Sequence, residues 1–202
     1  MRLVFVRESD LDHMGGAMSS AIFSDGRPMS EREYLALGET PERIELFDGS
    51  LYVTPAPIPI HQKISRRLAN ALDSGADAAG LQVLEAVNVR LRPDRILIPD
   101  IVIALGDINL YELIIDSSEI RLVCEILSPS NPTTDKVLKM HYYAAAGIPW
   151  YLLVEPETLA LRLYQLDDTK YIEHSVTEVG EVLRLTDPLV ATIDPAKLLP
   201  PR

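Results

Sequence analysis

The chain has 202 residues, 47% of them hydrophobic, a formal net charge of -11 at pH 7 and one cysteine, Cys124. This length and apolar content suit a globular domain with a real core and exclude a disordered chain. No apolar run approaches the roughly 20 residues of a membrane helix, a lone thiol makes no internal disulfide, and the acidic balance opposes nonspecific binding to nucleic acid.

In MRLVFVRESD the apolar stretch is too short for a signal peptide and no small-residue cleavage site follows. With the unpaired thiol, this leads us to expect a cytoplasmic protein. Residues 1–7 read as a strand and Gly15–Ser30 as a loop, so residues 1–29 are set apart from a single domain over 30–202. Ser30-Glu31-Arg32-Glu33 is a capping box opening a short helix to Leu37, where Gly38 ends it. RIELFDGSLYV, Arg43–Val53, is a hairpin turning at Asp48-Gly49. Its first strand puts Ile44 and Leu46 on one face and Glu45 and Phe47 on the other. The link TPAPIPI opposes regular helix. His61–Gly75 is an amphipathic helix with Ile64, Leu68, Ala71 and Leu72 as its apolar stripe. Strands are expected over Leu81–Leu91, Arg95–Leu105 and Glu119–Leu127, with Gly106–Ser118 as a connector. Asn131 and Pro132 open a helix that Gly147 closes. WYLLVEP, LALRLYQL and KYIEHSV follow as strands, the last two antiparallel, and the tail is strand or irregular cover. The order defines an α/β class with a mixed sheet.

Two carboxylates stand out. Asp100 precedes Ile-Val-Ile-Ala-Leu, and Glu125 sits in Leu-Val-Cys-Glu-Ile-Leu, runs otherwise apolar on both faces. A buried carboxylate needs a cation, a hydrogen bond or a raised pKa. On adjacent strands the two would make a hard oxygen site suited to Mg²⁺; at strand ends they would simply be solvated, and both readings are open. In the next helix Asp135, Lys139 and Tyr143 are spaced by four and share a face. Asp135 and Lys139 also suit an ordinary surface pair. Cys124, with apolar flanks, reads as a buried thiol, Trp150 and Tyr151 as core or interface aromatics, and Ser128-Pro129-Ser130 as a turn.

The string IPDIVIA…LVCEILSPSNPTTDKVLKMHYYAAAGIPWYLLVEP, with IELFDGSLYV and HQKIS upstream, resembles the Uma-two family (domain of unknown function 820) of the PD-(D/E)xK nuclease superfamily. The likeness runs from about Ser30 to the C-terminus. It implies a restriction-endonuclease-like core, a mixed β-sheet flanked by helices, with an N-terminal helix and β-hairpin as an extension. It implies metal ligation by Asp100, Glu125 and the Ile126 carbonyl, with Mg²⁺ as cofactor and Mn²⁺ as a substitute. Where the superfamily has a lysine two residues after the second acid, this chain has Leu127. Lys139 matches a lysine recruited from the following helix, with Lys136, on another face, as the alternative. Glu45 and His61 match an acid in the family's first hairpin and a histidine opening its next helix, and Tyr143 completes the set.

The resemblance implies a DNA endonuclease, acting as a homodimer if both strands are cut. Glu45 also suits an exposed strand position, His61 a cap or packing residue, and Tyr143 plain packing. Lys63, Arg66, Arg67, Arg90, Arg92 and Arg95 either line a cleft or form a solvated face offset by acids; so few cations imply weak, salt-sensitive binding to DNA, or a partner that supplies affinity. A nuclease-like module without activity, binding nucleic acid or protein, is the alternative, and a metal-free two-carboxylate glycosidase a distant third.

Overall fold

The computed structural model describes residues 19–21, 27–38, 40, 42–54, 56–128 and 134–199, with 19–21 and 134–136 as backbone only. The expected strand over 1–7, the helix start at Asn131 and Pro132, and Pro129 and Ser130 of the expected turn lie outside these residues. Strand β1 (Ser19–Ala21) falls inside the stretch read as a loop and pairs antiparallel with the hairpin. The capping box is formed. Ser30 Oγ accepts from the Glu33 N–H at 3.4 Å and the Glu33 carboxylate accepts from the Ser30 N–H at 3.0 Å, opening α1 (Glu31–Leu35). Strands β2 (Arg43–Phe47) and β3 (Ser50–Thr54) form the expected hairpin, with Asp48 and Gly49 at φ of +51° and +83°.

Helix α2 (Pro59–Ala79) begins inside the proline-rich link, because Pro59 stands in the first turn where no amide hydrogen is needed. It runs through Gly75 and stops at Gly80, which has φ of +68°. Gly75 has a packing role instead: a Cβ there would lie 2.3 Å from the Val190 carbonyl oxygen.

Two expected strands are each broken in two. Leu81–Leu91 divides into β4 (Leu81–Glu85) and β5 (Val89–Arg92), and Arg95–Leu105 into β6 (Arg95–Leu97) and β7 (Ile101–Leu105). Each break has a backbone feature at it. Ala86 takes φ of +54°, and Pro99 cannot donate to a ladder. β5 and β6 belong to one sheet, β4 and β7 to another. The excursion closes where the Ala86 N–H donates to the Asp100 carbonyl at 3.2 Å. Asp100 therefore lies on the seam between two sheets rather than within one strand.

The remaining strands are β8 (Ile115–Asp116), β9 (Ile120–Ile126), β10 (Trp150–Val154), β11 (Leu161–Asp167), β12 (Lys170–Thr177), β13 (Leu183–Leu185) and β14 (Ala191–Ile193). Between β9 and β10, Thr134–Lys139 winds as a π-helix into α3 (Met140–Ala145). The main sheet has the order β12-β11-β10-β9-β7-β4, with β9 and β10 parallel and the other pairs antiparallel. The second sheet has the order β1-β3-β2-β6-β5-β8. The expected mixed sheet is thus accompanied by a second mixed sheet, into which the hairpin is built, and by the two-stranded β13-β14 sheet.

Alternation along the central strands defines the layers. Ile101, Ile103, Leu122, Cys124, Ile126, Leu152 and Val154 pack under Ile64, Leu68 and Leu72 of α2 and the β13–β14 hairpin. Val102, Val123, Tyr151 and Leu153 face the other way, against Phe47, Val89, Leu97 and Tyr143. By the same alternation Glu125 points into the layer between the main sheet, the second sheet and α3.

Gly75→Ala reverses the usual sign of a helical glycine substitution. Helix propensity favours alanine by about 1 kcal/mol, but the carbonyl at 2.3 Å forces α2 and its neighbour apart. We expect a net loss of about 1–2 kcal/mol in urea unfolding; a more stable variant would contradict the packing described.

Candidate active site

Four chain segments converge where Glu125 enters this layer. On β2, Arg43, Glu45 and Phe47 share the face turned to the main sheet, since Ile44 and Leu46 pack with Met29, Tyr34 and Leu51 on the opposite face. Glu45 is only 1% exposed and its Oε1 accepts from the Ile98 N–H at 2.8 Å. Lys139, at the end of the π-helical turns, is 5% exposed. Its Nζ donates to Glu45 Oε1 at 3.1 Å and to Glu125 Oε1 at 3.3 Å. One α-helical turn on, the Tyr143 hydroxyl donates to the same Glu125 oxygen at 2.6 Å. Burial, then the charges of Glu125 and Glu45, push the Tyr143 phenol well above its ordinary range, so it stays a neutral donor.

Asp100 is also buried, and both of its oxygens are engaged. Oδ1 accepts from Arg43 Nη1 at 3.0 Å; Oδ2 meets His61 Nε2 at 3.0 Å and the Ile126 N–H at 2.8 Å. Burial alone would raise its pKa, but the His61 hydrogen bond, the Arg43 charge and the Ile126 amide outweigh it and hold the carboxyl well below its ordinary value. His61 is carried to Asp100 by the first turns of α2, where Ser65, one turn on, donates to Glu85 at 2.8 Å. Because Ile126 follows Glu125 directly, the Asp100–Ile126 bond ties the two acids together.

Arg43 was not among the residues singled out from sequence, yet it binds the cluster together. Burial pulls its pKa down, but Asp100, Glu45 and Glu125 more than restore it, and the guanidinium is held above its ordinary range. The signal was available, since Arg43 lies two residues before Glu45 and so shares its face.

The structure therefore brings Asp100, Glu125, Lys139, Glu45, His61 and Tyr143 into one cluster. The side chains of Asp135 and Lys136 lie outside the described residues; Lys139 is the lysine seen to reach the acids. Among the described residues three carboxylates meet two cations, Lys139 and Arg43. Glu45 Oε2 is buried without a hydrogen-bond partner among the described residues, as are Nε and Nη2 of Arg43. Such orphaned groups each cost about 1–3 kcal/mol unless something completes them. A hard cation suits this donor set, with its oxygen ligands, excess negative charge and unpartnered carboxylate oxygen. No ready cage of three or more His, Cys, Asp or Glu side chains exists among the described residues, however. The reason is visible at Asp100, whose oxygens are committed to Arg43, His61 and Ile126.

Away from the cluster, acids offset the basic residues of the second sheet. Arg90 pairs with Glu31 and Asp116, Arg92 with Asp48 and Asp94, and Arg95, buried over the Tyr142 ring, with Asp48. Lys63 and Arg66 are exposed on α2, and Arg67 donates to the Lys197 carbonyl. Cys124 is fully buried, and burial pushes its thiol well above the ordinary range, so it is inert core. Trp150 and Tyr151 are core residues, Trp150 donating to Asp187 at 2.6 Å. Among the described residues no helix is long and apolar enough to cross a membrane.

An acid on a central strand, a second at the seam of the two sheets, a third from the second sheet and a lysine from the helical segment that follows β9 thus form one buried cluster on an α/β fold. The Uma2 family, described as "Putative restriction endonuclease", matches residues 32–196, and the chain belongs to it. Among solved structures, a protein of Anabaena variabilis titled a putative nuclease belonging to DUF820 is similar. It has a TM-score of 0.69 at 17% sequence identity, over 85% of this chain and 97% of that one. None of the curated proteins matches significantly.

Lys139→Met leaves the buried carboxylates of Glu45 and Glu125 without their shared cation. We expect a loss of about 3–5 kcal/mol in urea unfolding, against about 1.5–3 kcal/mol for Tyr143→Phe, which removes one hydrogen bond to a carboxylate.

Asp100 predicts the acid limb. Its folded pKa lies below the ordinary 3.8, so folding favours the deprotonated form. That stabilisation is complete above the unfolded value and is lost as pH falls from there through the folded pKa. Unfolding midpoints taken downward from pH 7 should show a shallower acid decline in Asp100→Asn than in the parent chain.

Proposed function

We propose that the cluster is the active site of an endonuclease that hydrolyses DNA phosphodiester bonds with Mg²⁺. The observation that carries this reading is the meeting of Lys139 with Glu45 and Glu125, one peptide unit from the Asp100 anchor at Ile126. Family membership supports the nuclease class.

Asp100, Glu125 and Glu45 would hold the ion, Glu45 through the oxygen that lacks a partner among the described residues. The Ile126 carbonyl is a candidate further ligand. Bound there, Mg²⁺ or Mn²⁺ supplies Lewis acidity toward a phosphoryl oxygen and toward water. The chain's own groups do the rest. Lys139, buried and already aimed at both carboxylates, orients a water or offsets charge that builds on the phosphoryl oxygens. Tyr143 keeps Glu125 in place through its short hydrogen bond. His61 fixes one oxygen of Asp100 and thereby the direction of the other. With the second-sheet arginines paired to acids, DNA is held weakly and cleavage is salt-sensitive. A homodimer would supply two such sites.

A nuclease-like module without activity is the second reading. Asp100, already carrying three donors, favours it.

Purified protein should nick supercoiled plasmid with Mg²⁺ and not in EDTA. Glu125→Gln and Lys139→Met should each lower the rate by roughly 100-fold or more. Absence of cleavage with Mg²⁺ or Mn²⁺ on any DNA form would overturn the enzyme reading. Calorimetry separates the two readings further, since a Mn²⁺ isotherm lost in Asp100→Asn belongs to the enzyme and no isotherm to the module.

A further inference from the structure

We propose that Arg43 is the residue that grips a phosphate of the substrate strand through the Nε/Nη2 edge of its guanidinium; this rests on the nuclease reading above. In the covalent geometry of arginine, Nε–H and Nη2–H lie along one edge and point the same way. Both nitrogens are buried and lack a hydrogen-bond partner among the described residues. Nη1, on another edge, is the one given to Asp100 at 3.0 Å. That edge is a two-pronged donor whose natural complement is a pair of oxygens on a carboxylate or phosphate.

Charge balance alone does not explain this arrangement. An arginine present only to neutralise Asp100 would set a fork against both carboxylate oxygens. Here the second oxygen is taken by His61 and the Ile126 amide. Glu45 Oε2 also lacks a donor among the described residues and still does not meet the fork.

Position completes the argument. Arg43 lies between the acids on one side and a cavity of about 400 Å³ on the other. The cavity wall is largely apolar, with Leu35, Leu37, Ile98 and Leu113; its charged lining residues are Arg43 and Glu42, while the Tyr34 hydroxyl meets the Ile44 carbonyl and Asn88 Oδ1, and Asn88 Nδ2 donates to the Leu113 carbonyl. Arg43 is the cation among the described lining residues. The side chain keeps 20% exposure, while the fork itself is closed to solvent. An anion therefore meets it when the guanidinium turns toward the cavity about its contact with Asp100. The ligand class is a phosphate group with two free oxygens, and the phosphodiester of a nucleic-acid strand supplies it.

The test follows the Nε–H resonance of Arg43 in the full ¹⁵N-labelled chain, without metal. Probes are inorganic phosphate, a phosphorothioate-stabilised DNA hexanucleotide and the same hexanucleotide with uncharged methylphosphonate links. The expected result is a saturable shift with the two anionic probes and none with the uncharged one. A shift with inorganic phosphate alone would show an anion site that does not serve nucleic acid and would overturn the proposal. Arg43→Lys, which keeps the charge and loses the fork, should weaken hexanucleotide binding roughly tenfold or more. Arg92→Lys, paired to Asp48 and Asp94 on the surface, should leave it unchanged. An unmoved Nε–H with every probe, or wild-type affinity in Arg43→Lys, also overturns the proposal. The two readings fail separately. A shifted resonance in a protein that never cuts DNA keeps the phosphate grip and discards the nuclease, and cleavage with an unmoved resonance does the reverse.

Discussion

The ion-paired bridge from Lys139 to Glu45 and Glu125 is the constraint on which the site depends. It joins β2 of the second sheet to β9 of the main sheet through a side chain from the π-helical turn between β9 and β10. Each partner is 5% exposed or less, so none can be left alone at low cost. Packing between sheets is only weakly directional. A cation shared by two carboxylates has one satisfactory position, and it therefore fixes how the sheets meet.

Asp100 works differently. It sits where the chain crosses from the second sheet back to the main one, and its partners come from β2, α2 and the end of β9. The left-handed turn at Ala86 and the missing donor of Pro99 prevent straight strands there and create a corner. A carboxylate at a corner can be buried and still reach donors from several directions.

Much of this was legible in the residues. The hairpin at Asp48-Gly49, the capping box at Ser30, the antiparallel pair LALRLYQL and KYIEHSV, and Cys124 as core follow local rules, and local rules survive folding. The site residues were legible mainly as a resemblance, and the structure groups the six of them. Less legible was the break at Ala86, where a non-glycine residue takes positive φ under tertiary constraint. A run of β-forming residues also does not announce which of two sheets it joins. Arg43 does not stand out in the sequence, because a charged residue at the start of a hairpin strand reads as solvent-facing until a second sheet covers it. Gly75 reads as a helix end in the sequence, whereas its smallness serves a neighbouring carbonyl.

The Ala86 to Asp100 hydrogen bond has a consequence for how such a protein can diversify. The chain departs from the main sheet and rejoins it at adjoining points, so β5, β6 and their turn form a closed detour rooted at one spot. Lengthening a detour of this kind adds only slowly to its entropic penalty. The tip can change in shape and charge from one relative to the next, and the acid at its root keeps its address.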